Sequence, residues 1–169
     1  TGEYNVAIGK NALLSNTEGD NNTAVGRICL DENTTGIRNT AIGATSLGSN
    51  TTGGSNTAVG FQSLAANTTA SNLVAVGLNS MYSNTTGEDN TAVGAAALFS
   101  NTTGTDNTGV GDSALALCTT GVQNTAVGTD SLVACTTGGS NSAFGFEAGT
   151  GITTGSDNTL IGQEAGQDI

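Results

Sequence analysis

The residues of this chain that could do chemistry are few, and most of them are acidic. The sequence has no His, so a Ser-His-Asp type of triad has no base and a zinc site lacks its commonest nitrogen ligand. The acidic neighbours Asp31–Glu32 and Glu88–Asp89 could act as a general acid and base, but residues adjacent in sequence usually diverge and more often form a solvated turn. The Gly-rich turns lack the Lys and the helix of a phosphate-binding loop. We therefore expect no enzyme activity, no catalytic residue and no cofactor.

Calcium is the metal to consider, because carboxylates recur near one turn of the sequence, close before a repeated Asn. Carboxylates stacked at such a turn could share an ion. Arg38, Ser55 and Ser140 interrupt the row, and the glycine-rich calcium nonapeptide is absent. The candidate calcium ligands are Asp20, Asp89, Asp106 and Asp157.

A repeat of 17 residues must position all of these side chains. Val, Ile or Phe followed by Gly recurs ten times without insertion or deletion, from Ile8–Gly9 to Ile161–Gly162. Repeats of constant length indicate identical units that stack on one another. Seventeen residues are too few for paired helices, whereas Thr, Val and Ile suit strands and Gly and Asn suit turns. The sequence predicts an all-β fold, a parallel β-solenoid (β-roll) of ten 17-residue coils, as a single array over residues 1–169.

Each position of the repeat should form a row of like residues along the solenoid. The residue before Gly is expected to point inward, and the Leu four residues after Gly to form a second core row. These two rows include Val25, Val59, Val93, Val127, Leu30, Leu64, Leu98 and Leu132.

Strand alternation then places an Ala row outward, where small side chains would permit close approach of another chain. The alternative is a narrow coil whose own far wall presses against the Ala side chains. The candidate interchain contacts are Ala24, Ala41, Ala58, Ala75, Ala92 and Ala126.

A further row, seven residues after Gly, changes from Asn to Cys118, Cys135 and Ile152. An exposed row would have little reason for this exchange, so we expect an internal ladder of hydrogen-bonded amides. Cys118 and Cys135 should lie within bridging distance on adjacent coils, but their parallel orientation favours two buried thiols over a disulfide. The predicted Asn ladder comprises Asn16, Asn33, Asn50, Asn67, Asn84 and Asn101.

Paired Thr residues such as Thr85–Thr86 recur in most repeats. Flat Thr arrays on solenoids can order water and bind ice. Adjacent strand residues point to opposite faces, however, so the pair offers one outward row. The other interpretation is a hydroxyl ladder that bonds along the stack.

Charge and composition limit the partners. The formal charge of −11 repels nucleic acid and anionic membranes, and no apolar run approaches a membrane span. Four Phe, two Tyr and no Trp make the core thin. The array begins and ends within a coil and shows no cap, which predicts a segment of a longer fibre protein.

The repeat resembles a known group of fibre repeats. Asn22-Thr23-Ala24-Val25-Gly26, followed by Asn33-Thr34-Thr35-Gly36, looks like the repeat region of phage and virus tail fibres and related bacterial surface proteins. Those proteins often carry a C-terminal chaperone-of-endosialidase domain, which this sequence does not show. The repeat is also similar to the head repeats of YadA-type trimeric autotransporter adhesins, whose coils are shorter.

The resemblance implies a homotrimeric structural or adhesive fibre segment outside the cell, on a cell surface, a virion or an injection machine. Such a shaft or head would space or present a region that binds a cell-surface or glycan receptor, with no nucleic acid partner and no membrane insertion. A monomeric solenoid that binds ice or a ligand is the alternative. A tail-spike polysaccharide depolymerase is a further one.

Overall fold

The computed structural model describes residues 2–168 and confirms the all-β solenoid. Ten strands of three residues form one parallel sheet in which strand order follows sequence order. No helix occurs among residues 2–168, and so none there could cross a membrane. The strands are β1 (Val6–Ile8), β2 (Thr23–Val25), β3 (Thr40–Ile42), β4 (Thr57–Val59), β5 (Val74–Val76), β6 (Thr91–Val93), β7 (Thr108–Val110), β8 (Thr125–Val127), β9 (Ser142–Phe144) and β10 (Thr159–Ile161).

Stacking in exact register holds the coils together. Each strand pairs with the strand 17 residues away, so that Ala58 lies beside Ala75 and Val59 beside Val76. The turns are also hydrogen-bonded between coils, for example from Thr51 N to Thr68 O at 2.8 Å and from Ser55 N to Ile37 O at 2.9 Å. Backbone ladders therefore extend around most of each coil and satisfy groups that a thin core could not shield.

Left-handed backbone positions make the corners of each coil. Every described residue two, four and twelve positions after the repeat Gly has a positive φ, as at Gln62 (56°), Leu64 (51°) and Asn72 (62°). Asn, Asp and Gly accept this conformation most readily, whereas Leu does so at a cost. Complete burial of Leu64 against the core offsets that cost.

The structure reverses the expected direction of the strand side chains. The middle residue of strands β2–β9 is buried and the flanking residues are partly exposed. The prediction that the Val row points inward is therefore wrong, and it is wrong for Val25, Val59, Val93 and Val127. The Ala row expected at an interchain contact instead lies inside its own coil, fully buried at Ala24, Ala41, Ala58, Ala75, Ala92 and Ala126.

The width of the coil explains this reversal. The Leu row, including Leu30, Leu64, Leu98 and Leu132, fills the interior and is fully buried. Gly109 takes the place of Ala in β7, and a Cβ atom there would lie 3.5 Å from Leu98 Cγ and 3.1 Å from the Ala114 carbonyl oxygen. Only a methyl group fits opposite Leu, so the larger Val and Ile side chains must point outward.

The left-handed position two residues after Gly offers a stability test. Ile28 occupies it with φ 57°, whereas Asn11 and Asn79 occupy the same position in other coils. Ile28→Asn should stabilise the protein by about 1 kcal/mol and raise its Tm by roughly 2–4 °C, because Asn tolerates this conformation better than a β-branched residue. Circular dichroism melting would measure the change. Ile37→Asn is the control, at an exposed site with no positive φ, and an equal shift in both variants would contradict the strain argument.

Candidate functional site

The Asn ladder lies inside the solenoid and links successive coils. Asn67 Nδ2 donates to Asn50 Oδ1 at 2.9 Å and to the Ala70 carbonyl at 3.1 Å, while its Oδ1 accepts from Asn84 Nδ2 at 3.2 Å. The same bonds recur along the row, whose members Asn33, Asn50, Asn67, Asn84 and Asn101 are fully buried and whose first member, Asn16, is half-buried. Each amide therefore closes its own turn and fixes the next coil in register.

Removal of one ladder amide should be costly. Asn67→Ala leaves Asn50 Oδ1 without its donor and removes one acceptor from Asn84 Nδ2. Unpaired buried polar groups cost about 1–3 kcal/mol each, so we expect a loss near 3 kcal/mol and a Tm lower by roughly 5–10 °C. Thr69→Ala changes an exposed side chain of the same coil and should cost less than about 0.5 kcal/mol. Equal melting of the two variants would show that the ladder is not stabilising.

A second Asn row, four residues before Gly, also bonds along the stack. Asn56 N donates to Asn39 Oδ1 at 3.0 Å, and Asn56 Nδ2 donates to the Ala70 carbonyl at 2.9 Å. Leu73 interrupts this row and is buried. Asn72 does not replace the missing amide, because it lies at the surface and donates to Asp89 Oδ1 at 3.1 Å. In this coil the buried Leu73 side chain packs in place of the hydrogen bonds that the Asn side chain makes in the other coils.

The first Thr of each pair serves the stack. Thr51 Oγ1 donates to the Thr68 carbonyl at 3.0 Å, and Thr102 Oγ1 donates to the Thr119 carbonyl at 3.0 Å. The same bond recurs from Thr17 to Thr136. The second Thr of each pair, such as Thr86, is exposed. The pair thus presents one outward row and one structural hydroxyl ladder.

The proposed calcium ligands do not all lie in one row of the solenoid. Asp20 lies one residue earlier in its coil than the other three, and its Oδ1 accepts from the Glu3 amide at 2.7 Å. Asp89, Asp106 and Asp157 each occupy a left-handed turn position, with φ between 57° and 61°. Among residues 2–168 no group of three or more His, Cys, Asp or Glu could hold a metal. These Asp residues suit the turn, as Asn does, because their short side chains tolerate its backbone.

The acidic neighbours Asp31 and Glu32 also diverge in their surroundings. Asp31 is half-buried and Glu32 is exposed. Burial raises the pKa of the Asp31 carboxyl, and the charge of Glu32 adds to this effect, while a backbone hydrogen bond opposes it. A single carboxyl of this kind, without a facing partner, does not reproduce the paired geometry of an acid–base site.

The feature with the largest extent is the sheet face, which we define as the outward first and third residues of strands β1–β10. The first residues form a Thr-rich row, interrupted by Val6, Val74 and Ser142, and the third residues form a row of Val, Ile and Phe144. None of these positions is charged, although the chain has fourteen acidic residues. At about 4.8 Å between strands and 6.8 Å between alternate residues, the sheet face is a narrow strip about 43 Å long.

Large apolar side chains are exposed along this strip. Ile42 is 41% exposed, Val93 37% and Phe144 42%. Phe61, Leu78 and Phe146, each directly after a repeat Gly, are exposed next to it. A continuous row of apolar side chains of this length on a single chain is typical of an interaction surface.

Sequence reasoning missed the sheet face, but two signals could have revealed it. The Ala row, buried in β2–β9, contains only Ala and Gly there, as an interior of fixed width requires. The row after it contains Val, Ile and the much larger Phe144. A row that accepts side chains of very different size is not confined by the interior, which indicates that it points outward. The absence of charge from both outward rows marks a surface that is not simply solvated.

Comparison with family models, with curated proteins and with solved structures gives no match to this chain.

Proposed function

We propose that this chain is a structural or adhesive segment of an extracellular homotrimeric fibre, in which three solenoids lie side by side with their sheet faces around a common axis. The observation that supports the proposal is the sheet face itself, an uncharged strip with one wholly apolar row, on a chain of net charge −11. Burial of its Val and Ile side chains would supply the association energy that the thin interior of one coil cannot.

The shape of the strip favours three chains. It is only two side-chain rows wide, with about 6.8 Å between the rows. Three strips of that width enclose a narrow prism, which Val, Ile and Thr side chains can fill without a central channel. The resemblance of the repeat to tail-fibre repeats and to trimeric adhesin heads agrees with this arrangement.

In such a fibre the segment would act mechanically. Coils of constant length make a straight spacer whose reach grows by about 4.8 Å per repeat. The outer surface, which includes the exposed second Thr of each pair and most of the acidic residues, would remain available to solvent and to a cell-surface or glycan receptor. We propose no catalytic step.

Sedimentation equilibrium of the purified chain tests this proposal. The expected mass is about three times the 16.5 kDa of one chain, and electron microscopy should show rods. A chain that remains a monomer at micromolar concentration would contradict the fibre proposal.

One observation favours ice binding as a second candidate. The Thr row and the aliphatic row of the sheet face repeat on a flat grid of about 4.8 Å by 6.8 Å, which offers the two parallel rows that the Thr pairs lack. This function requires an exposed face and therefore a monomer. A monomeric mass together with thermal hysteresis that is lost in Thr57→Lys/Thr91→Lys would support it, whereas a trimer would exclude it because the face is then covered.

A further inference from the structure

The Asn ladder ends at an unusual boundary. Asn101 is fully buried, and its Oδ1 is one of two buried side-chain acceptors among the described residues that have no hydrogen-bond partner. In every earlier coil this oxygen accepts from the Asn of the next coil, but the next coil places Cys118 there and the one after it places Cys135. An unpartnered acceptor therefore faces a stack of two thiols.

The two thiols are stacked on adjacent coils inside the solenoid. Both side chains are fully buried and neither belongs to a disulfide. Cys135 Sγ donates to the Gly138 carbonyl at 3.7 Å. Cys118 Sγ packs against Gly121 as Cys135 Sγ packs against Gly138, so the two sulfurs occupy the same place in successive coils.

The spacing of the coils disfavours a disulfide at this position. Side chains stacked in register keep their Cβ atoms about 4.8 Å apart, whereas a disulfide requires a Cβ separation of about 3.5–4.5 Å. A metal–thiolate bond is about 2.3 Å long, so a linear sulfur–metal–sulfur unit spans about 4.6 Å. The pair fits an inserted ion better than a direct bond.

We propose that Cys118 Sγ and Cys135 Sγ bind one soft monovalent d¹⁰ cation, of the Cu(I) class, between adjacent coils, with Asn101 Oδ1 facing the same space. Soft sulfur ligands select such ions over harder ones. On binding, both thiols lose their protons to solvent, the two thiolate sulfurs bond to the cation and no electron is transferred. The cation neutralises one of the two thiolate charges.

The walls of this space limit the site to two sulfur ligands. A Cβ atom on Gly121 would lie 2.8 Å from Cys118 Sγ, and one on Gly138 would lie 3.1 Å from Cys135 Sγ, so these glycines make room for the sulfurs and close that side. The apolar Ile152 follows Cys135 in the row and is buried. A tetrahedral zinc site, with four ligands, has no place here.

The experiment titrates the reduced, folded chain with Cu(I), supplied anaerobically as its acetonitrile complex in the presence of a competing chelator. Bound copper is then counted after desalting. The wild-type chain should retain one ion. Cys118→Asn/Cys135→Asn should retain none and should still fold, because the new amides continue the ladder to Asn101. Cys118→Ser, which keeps one thiol of the pair, should bind at least tenfold more weakly.

Cys29→Ser is the matched control. Cys29 is buried in another row, donates to the Gly26 carbonyl at 3.3 Å, and has Ser46 at its position in the next coil. This variant should retain one ion, as the wild type does. Copper retained equally by the double Asn variant, no copper retained by the wild type, or a wild-type chain two mass units lighter through a disulfide would each overturn the proposal.

Discussion

Replacement of Gly77 with alanine is expected to destabilise the solenoid strongly. Gly77 has φ 138°, a conformation that residues with a Cβ rarely adopt. The new Cβ would also overlap the carbonyl oxygen of Gly94 in the next coil and lie 2.6 Å from its carbonyl carbon. Because that obstacle is backbone, the two coils must separate and weaken the bond that joins them from Gly94 N to Val76 O, now 2.8 Å long.

The expected loss for Gly77→Ala is more than about 4 kcal/mol, which would lower the Tm by roughly 10 °C or prevent folding. Thermal melting followed by circular dichroism gives the result. Gly48→Ala provides the control, since its Cβ would meet Thr45 Cγ2 at 3.3 Å and its φ is not positive. We expect a cost below about 1 kcal/mol there. Similar melting of the two variants would refute the close stacking of coils at the repeat Gly.

The second large effect concerns assembly. Val76→Lys/Val110→Lys should convert the proposed trimer into a folded monomer, because six ammonium groups would lose water around one axis without partners. Both residues point outward from the single chain, so its circular dichroism spectrum should remain that of the wild type. Sedimentation velocity would measure the change in mass.

The control for this experiment places the same charges on another face. Thr86→Lys/Thr120→Lys alters two exposed side chains of the second Thr row. We expect this variant to keep the mass of the wild type. If the Val variant also keeps that mass, the sheet face is not the interchain contact.

The repeat length predicted most of the architecture, since ten equal coils in register leave few arrangements for the backbone. The rows that contain Asn67 and Leu64 are buried, as the sequence predicts. A row that changes from Asn to Cys and a row that is almost entirely Leu both indicate an interior position. These inferences rest on the different requirements of water and of a protein core: apolar side chains are favoured in the core, and polar side chains there must be hydrogen-bonded.

The orientation of the strands could not be obtained in the same way. Hydrophobicity favours Val59 over Ala58 as the core residue, but the left-handed turns and the Leu row leave room only for Ala. The narrow interior of the coil therefore decides which side chain points inward, although burial of Val would give the larger transfer free energy. Because the Ala side chains point inward, the candidate interchain contact is formed by the Thr and Val rows instead of the Ala row. Turn geometry also accounts for Asp89 and Asp106, because Asp tolerates the left-handed conformation of that position.

Solvent protection of the sheet face tests the central claim most directly. Val93→Cys, in a chain that also has Cys29→Ser, Cys118→Asn and Cys135→Asn, places one thiol where the side chain of the single chain is 37% exposed. Thr86→Cys, in the same background, places it in the exposed Thr row. We predict that an aromatic disulfide reagent labels position 86 rapidly and position 93 only after the assembly is dissociated. Rapid labelling of both positions in the native protein would contradict the account.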